Sequence, residues 1–408
     1  MSVKISGARR FAGTIALFGL FGLFSGCAGS DSPSTESPAT DGSPEPGRLV
    51  IVGGALAADN VEVYQAVITA REGTGPLCII PTASGVPDES MASAIERFQS
   101  HGAPAVEGIW ITTENPEAAS DPAVVEALEA CSGYWFVGGS QSRVMDVFRP
   151  NGQRTPADSA LHRRWQAGAV VSGSSAGAAM MPSRSIGGGS SAEAMEFGVT
   201  HDDEMPGVWV MDGMDFVPWA MIGQHHLARG RWGRLVIATL EEPGQMLGLG
   251  IDENTALVYE NGVARVLGAS GVLMVDVANA TRGANGGVTG VRLELLGAGD
   301  GVSAADRLVL RAGGKSPVPM PVSGPSVSEI ADAPFERWAF LHLLHRMAAD
   351  AAPAPGGGAV VELNGGARTL RLRRGDGFFA GANATEGVQG TPFGLTLGPL
   401  VLEIGPRR

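Results

Sequence analysis

Residues 168–178 read Gly168-Ala169-Val170-Val171-Ser172-Gly173-Ser174-Ser175-Ala176-Gly177-Ala178. An apolar run of strand length passes straight into Gly-x-Ser-x-Gly and then into small residues. That order predicts a buried strand, a sharp turn and a helix. Such a turn lifts Ser175 into the open at the strand's C-terminal end, with the spare N–H groups of the helix start facing whatever the serine attacks. Ser175 is therefore the candidate nucleophile. The same pentapeptide also occurs as a plain Gly/Ser-rich turn. The strand before it and the helix after it favour chemistry.

Outward from this stretch the chain alternates. Leu49-Val50-Ile51-Val52 predicts a buried strand ending at Gly53-Gly54, and further strands are expected at 77–81, 105–112, 133–137 and 168–172. Helical patterns fall at 57–70, 88–101, 121–131 and 156–167. Short all-apolar strands separated by helices imply a parallel sheet covered on both faces. Glycines follow three of these strands, at 53–54, 138–139 and 173, so one rim gathers the loops, and ligands bind at such a rim. No segment gives G-x-G-x-x-G with an acid placed for a ribose, so a dinucleotide site ranks low and no cofactor is expected. From Ile251 the pattern turns β-rich, with strands at 256–259, 264–267, 272–275 and 291–295, then a helix near 333–349 and short strands to the end. This tail reads either as a sheet extension or as the cover of a homodimer.

Beyond the serine comes Gly223-Gln224-His225-His226-Leu227-Ala228-Arg229-Gly230-Arg231-Trp232-Gly233-Arg234. A serine hydroxyl is a poor nucleophile at neutral pH until a base takes its proton, and histidine is the usual base. His225 is the candidate; His226, one position on, points elsewhere. Arg231 and Arg234 are i,i+3 neighbours, and Arg229 points into a cleft from the helix start. Guanidiniums clustered beside a histidine predict an anionic substrate held through its carboxylates. Each arginine singly fits a solvated basic helix end; three together beside His225 favour a pocket.

Taken in order, Ile80-Pro81-Thr82-Ala83-Ser84-Gly85, Val137-Gly138-Gly139-Ser140-Gln141, Gly173 to Ala178, Gln224-His225 with its three arginines, and Gly248-Leu249-Gly250-Ile251-Asp252-Glu253-Asn254-Thr255-Ala256 resemble the cyanophycinases. These are serine peptidases related to the aspartyl dipeptidases, peptidase E among them. The resemblance runs over roughly residues 48 to 310, and five motifs in order are far more specific than any one of them. It implies that Ser175 is the nucleophile and His225 the general base. It matches Gln141 to the glutamine of a Gly-Gly-Asn-Gln motif, and places Gly138, Gly139 and the N–H of Ala176 in an oxyanion hole. Gln141, Gln224, Arg229, Arg231 and Arg234 fall on substrate-pocket positions. The family cuts cyanophycin, a polyaspartate backbone with arginine on each β-carboxyl, and related β-aspartyl peptides. The expected fold class is α/β, a three-layer parallel-sheet sandwich of the class I glutamine amidotransferase-like or flavodoxin-like kind, with a β-rich C-terminal extension.

Two departures stand out. Where the family has Asp-Gln-His-Phe this chain has Gly223-Gln224-His225-His226, so a pocket aspartate is missing. The resemblance also implies a triad acid about 15 to 18 residues after the serine, where Ser190 and Glu193 stand. Glu193 is the nearest carboxylate and the expected acid; Glu196 lies behind it, and Glu253 at a strand end is a further candidate.

Ahead of the domain, Lys4, Arg9 and Arg10 precede an apolar run from Phe11 to Phe24, which ends in Ser25-Gly26-Cys27. This predicts a signal peptide over 1–26, cleavage before Cys27 at a lipobox-like site with lipid attached to that cysteine, and a disordered polar tether over 27–47. The expected place is a bacterial cell envelope, periplasmic or at the outer membrane, with the membrane as partner through the anchor. Export permits a Cys78–Cys131 bridge, and two buried free thiols fit as well. A catalytic domain is expected over 48–330 and the extension over 331–408. A net charge of −13 over 408 residues argues against nucleic acid as partner. No zinc pattern occurs and no metal is expected; His201-Asp202-Asp203-Glu204 reads as a solvated loop, and His342 and His345 as partly buried helix residues. Two functions compete: an exported serine peptidase or isopeptidase for β-aspartyl-linked or cyanophycin-like peptides, and a catalytically weakened binding lipoprotein that kept the fold. An esterase on an α/β-hydrolase fold ranks below both, because that fold places its acid and histidine later in the chain.

Overall fold

Five short strands, β1 (Leu49–Val52), β2 (Leu77–Ile80), β3 (Val106–Gly108), β4 (Gly133–Phe136) and β5 (Val170–Ser174), pair in parallel in the order β1-β5-β4-β2-β3. Four of them are buried along nearly their whole length, as a sheet covered on both faces requires. The crossovers are α1 (Val61–Thr69), α2 (Pro87–Ser100), α3 (Pro122–Ala130), α4 (Gln141–Phe148) and α5 (Pro156–Gln166). Local chemistry starts them. Proline opens α2, α3 and α5, where its missing N–H costs nothing. Asn60, Asp121 and Thr155 cap α1, α3 and α5 with side-chain oxygens. The helix after the serine turn, α6 (Ala176–Ala179), is a single turn, cut short before Pro182. This computed structural model describes residues 47–318, 324–349, 360–383 and 387–407. The expected signal peptide, Cys27 and all of the tether but Gly47 lie outside them.

The expected parallel sheet carries antiparallel strands on one edge. After β6 (Arg184–Ile186), α7 (Ser191–Phe197), β7 (Val199–Thr200), β8 (Val208–Asp212), β9 (Met221–Gly223), α8 (Trp232–Glu241) and β10 (Leu247–Ile251), the chain returns to the first sheet with β11 (Thr255–Glu260) and β12 (Val263–Gly268). β11 lies antiparallel to β1, and three further antiparallel pairings extend that edge through β12. The result is a mixed nine-stranded sheet. The extending strands beyond β12 come after β13 (Gly271–Asp276), β14 (Thr281–Arg282) and β15 (Val288–Gly297); they are β16 (Gly301–Ser303) and β17 (Val309–Leu310).

The tail is a sheet extension. Past α9 (Val327–Asp332) and α10 (Ala339–Ala349), strands β18 (Val361–Asn364), β19 (Thr369–Gly381) and β20 (Thr396–Ile404) join β15, β13, β10 and β9 in one eight-stranded sheet, with β14 paired to β15 as its eighth strand. β20 pairs along β15, so a division at 330/331 runs through a single sheet. The described residues cluster as one compact unit. One side of the new sheet buries Leu273, Leu293, Leu370, Leu397 and Leu402 against Trp232, Phe340 and Leu344 of α8 and α10. Cys78 on β2 and Cys131, which ends α3, are joined by a disulfide across 53 residues. No described helix is long and apolar enough to cross a membrane.

Candidate active site

Three chain reversals meet where the two sheets abut: the end of β5, the end of β9 and the turn Asp252-Glu253-Asn254 between β10 and β11. Ser175 sits at the first with φ 57° and ψ −112°, a conformation that non-glycine residues rarely hold. His225 follows β9 with φ 49°, its N–H donating to Gly53 O at 2.6 Å. Strain of this kind costs about 1–3 kcal/mol per residue and persists where the surroundings over-determine it. Gly54 is one such determinant, because a β-carbon there would lie 2.3 Å from the His225 ring.

The side chains form an unbroken hydrogen-bonded line. Ser175 Oγ lies 2.8 Å from His225 Nε2, and His225 Nδ1 lies 2.6 Å from Glu253 Oε1. Burial, with smaller contributions from the charges of Arg229 and Arg231, pushes the imidazole down to about 4 against the pull of Glu253. The ring is thus neutral, and able to accept a proton, over the whole physiological range. Burial raises Glu253, but its hydrogen bond and charge contacts with His225 and Arg229 outweigh that, and the carboxyl is held below its usual range.

Glu193, the acid expected from the sequence, is elsewhere employed. Its carboxylate accepts the Ser190 N–H at 2.8 Å while its own N–H donates to Ser190 Oγ, a capping box at the start of α7. Glu196 lies exposed on the same helix. The carboxylate on His225 is Glu253, carried by a turn that tertiary packing brings to the histidine.

Asp252, which carried no expected role, is fully buried beside it. Its Oδ1 accepts the N–H groups of Leu227 and Ala228 at 3.1 and 2.9 Å, and its Oδ2 accepts Ser270 Oγ at 2.7 Å. It pins the backbone immediately after His225. Burial lifts its pKa to about 6, against hydrogen bonds from Ser270, Ala228 and Glu253. The only signal for it in the sequence is its place next to Glu253 at the end of an apolar strand.

Gly138 borders the serine: a side chain there would lie 3.4 Å from Ser175 Cβ. The backbone N–H groups of Gly138, Gly139 and Ala176 donate to no partner among the described residues. They are free to face a developing oxyanion. Gln141 starts α4, buried, and spends its amide nitrogen on the carbonyls of Ile186 and Gly187. That nitrogen is a structural tie to the segment before α7. Gln224 takes Arg231 Nη1 on both its carbonyls, at 3.0 and 2.7 Å. Arg229 is half-exposed, 3.3 Å from Glu253. Arg231, the N-cap of α8, is pushed down to about 10 by burial and then by Arg229, with Glu253 opposing. Arg234 is buried and donates to Gly189 O at 2.9 Å.

His226 points into the core, as its offset of one residue requires. A β-carbon on Gly223 would meet its Nδ1 at 2.8 Å, and one on Gly250 would meet the ring at 2.2 Å. The paired strands β9 and β10 thus leave a slot that the imidazole fills, and burial drives its pKa to about 3. Among the described residues, no group of three or more His, Cys, Asp or Glu could hold a metal ion.

Residues 49–267 match the profile described as Peptidase family S51. A cyanophycinase of Nostoc sp. (strain PCC 7120) is 34% identical over 246 residues, spanning 58% of this chain and 78% of the relative. A cyanophycinase of Synechococcus elongatus is 30% identical over 236 residues, spanning 56% and 68%. Among solved structures, a peptidase from an acI-B1 Actinobacterium aligns with 64% of this chain and 98% of its own, at 19% identity and a TM-score of 0.47. The chain belongs to peptidase family S51, as a cyanophycinase-like, serine-type peptidase.

Proposed function

We propose that this chain hydrolyses β-aspartyl-linked peptides, cyanophycin-like chains included, through Ser175, His225 and Glu253. The observation that carries the reading is the unbroken line of hydrogen bonds through the three side chains. Ser175 Oγ attacks the carbonyl carbon as His225 Nε2 takes its proton. The tetrahedral oxyanion rests on the N–H groups of Gly138, Gly139 and Ala176. His225 returns the proton to the departing amine as the C–N bond breaks, and the same base then activates water against the acyl-enzyme. Glu253 holds the imidazole in the tautomer that keeps Nε2 unprotonated. Arg229, Arg231 and Arg234 with Gln224 fit the substrate's carboxylates, and the similarity to cyanophycinases supports the substrate class.

A binding lipoprotein would gain if no carboxylate reached His225, and Glu253 lies at 2.6 Å. The test is labelling with a serine-directed fluorophosphonate. Labelling of the wild type, lost in Ser175→Ala and in His225→Ala, supports the peptidase; a folded wild type that takes no label makes a binding protein of it.

The finer fold class, kinship with class I glutamine amidotransferase-like or flavodoxin-like sandwiches, is part of the same reading, supported by five parallel strands between helices. So are export and lipid attachment at Cys27. The basic start, the apolar run and the Cys78–Cys131 bridge support them, since disulfides persist in oxidising compartments. Cys27→Ser is expected to release the protein from the membrane fraction; a wild type already in the soluble fraction would refute the anchor.

A further inference from the structure

Asn254, the neighbour of Glu253, takes no part in the hydrogen-bonded line through Ser175. It has φ 53°, a backbone conformation that asparagine tolerates better than most residues. Its Oδ1 accepts the Ala57 N–H at 3.0 Å and Asn60 Nδ2 at 2.8 Å, and its carbonyl accepts Asn60 Nδ2 at 3.1 Å. Its own N–H donates to Gly54 O at 2.8 Å. This one residue thus holds the loop 53–60, which follows β1, at Gly54, Ala57 and Asn60.

That loop is a wall against the His225 ring. Gly53 O accepts the His225 N–H at 2.6 Å. A β-carbon on Gly54, where φ is 112°, would lie 2.3 Å from both Cε1 and Nε2 of the ring and 2.8 Å from Nδ1. The imidazole therefore rests on bare backbone. Gly53 in turn lies against the acidic turn: a β-carbon there would meet Asp252 O at 2.1 Å and Ile251 O at 2.5 Å, and its N–H donates to Thr255 O at 2.9 Å. Two backbones and a ring approach that closely only without side chains between them. His225 has φ 49°, and a strained residue keeps its conformation only while its surroundings hold it. Asp252 fixes the backbone after His225 and Glu253 meets Nδ1. The loop covers the ring itself, and Asn254 ties the loop to the same turn.

We propose that Asn254 is a positioning residue for His225, acting through the loop 53–60. The proposal rests on the peptidase reading above and adds a residue to it. While Oδ1 holds Ala57 and Asn60, Gly54 stays against the ring and Nε2 stays 2.8 Å from Ser175 Oγ. Without that oxygen the loop loosens, the ring gains room to turn, and water reaches it. Asn60 is a poor probe of this, because its own Oδ1 caps α1 through the Val63 N–H. Asn254 is a cleaner one. Glycine at 254 keeps the left-handed backbone and its main-chain bonds and removes the side-chain oxygen.

The test compares the wild type with Asn254→Gly and Asn254→Asp, using β-aspartyl-arginine as substrate. Asn254→Gly is expected to lower kcat about 10²-fold, as a misplacement of about 1 Å at a catalytic group does, with KM little changed. Asn254→Asp keeps an oxygen for both donors and is expected to retain most of kcat. The second readout is NMR titration of the His225 ring in the wild type and in Asn254→Gly. Burial is the chief cause of its low pKa of about 4; Glu253 opposes it, and Arg229 and Arg231 add to it. Those three charges are the same in Asn254→Gly, so a ring opened to water titrates closer to the ordinary histidine range. Unchanged kcat and an unchanged titration in Asn254→Gly overturn the proposal, and so does an equal loss of kcat in Asn254→Asp. A kcat that falls only as the folded fraction falls, with the ring still titrating near the wild-type value, also overturns it. If the wild type hydrolyses no peptide, the peptidase reading fails by itself; the titration still decides whether Asn254 holds the ring.

Discussion

Ser175, His225 and Glu253 owe their alignment to two strained residues and a turn. Because Glu253 faces His225 Nδ1 while Glu193 caps α7, the two glutamates separate cleanly by mutation. Glu253→Gln is expected to lower kcat by about 10³–10⁴-fold, since the imidazole loses the partner that fixes its tautomer and stabilises its cation. Glu193→Gln should leave kcat near wild type and cost at most about 1 kcal/mol of stability. Steady-state kinetics on both variants check this, and a larger loss of kcat in Glu193→Gln would reverse the assignment. The pH profile follows from the same geometry. The His225 pKa is depressed to about 4, so the base form persists as pH falls and is lost only through that value. The acidic limb of kcat/KM in the free enzyme is expected near pH 4, well below the ordinary histidine range; a limb near 6.5 would mean an imidazole far more hydrated than this one.

At the scale of elements, the strand pair β9–β10 holds the histidine segment. Gly223 and Gly250 face each other in register, and the slot between them accepts the His226 ring. Gly223 and His226 are therefore coupled: the small residue at 223 makes room for the imidazole at 226. Gly223→Asp should destabilise the chain strongly, because its β-carbon meets Nδ1 at 2.8 Å and a second buried polar group arrives with it. Gly223→Asp with His226→Phe should recover part of the loss, because the aspartate no longer meets a buried imidazole. Thermal melts of the single and double variants measure the coupling, and strict additivity would refute it. This relation is invisible in the sequence, where 223 reads as a missing charge and 226 as a spare base.

For the whole molecule, the second sheet decides what can be removed. β18, β19 and β20 bury Leu363, Leu370, Leu372, Leu397, Leu400 and Leu402 together with Leu273, Leu293 and Leu295 of the preceding region. Each such side chain contributes about 1.5–3 kcal/mol on burial, against about 5–15 kcal/mol for a whole folded domain. A chain ending at 330 is therefore expected to be insoluble or unfolded, although the family match ends at 267. A soluble truncated protein with a cooperative melt and fluorophosphonate labelling would contradict this.

The sequence alone determined the parts that local rules write. Strand runs of four or five apolar residues, the helical patterns between them and the serine turn each depend on neighbours within a few positions, and β1, β2, β4, β5 and the helices α1, α2, α3 and α5 lie within a few residues of the expected ranges. Ser175 and His225 were legible because a strained turn and a Gly-Gln-His-His-plus-arginine segment are local signals. Which of Glu193, Glu196 and Glu253 meets His225 was not, because glutamates of equal chemistry differ only in what lies beside them in space. The antiparallel edge on β1, the sheet shared by β9, β10, β13 and the tail, the anchoring by Asp252, and the ties of Asn254 to the loop after β1 all join residues far apart in the chain. Pairing at that distance is settled by burial and hydrogen-bond satisfaction across the whole molecule, which no short window of sequence encodes.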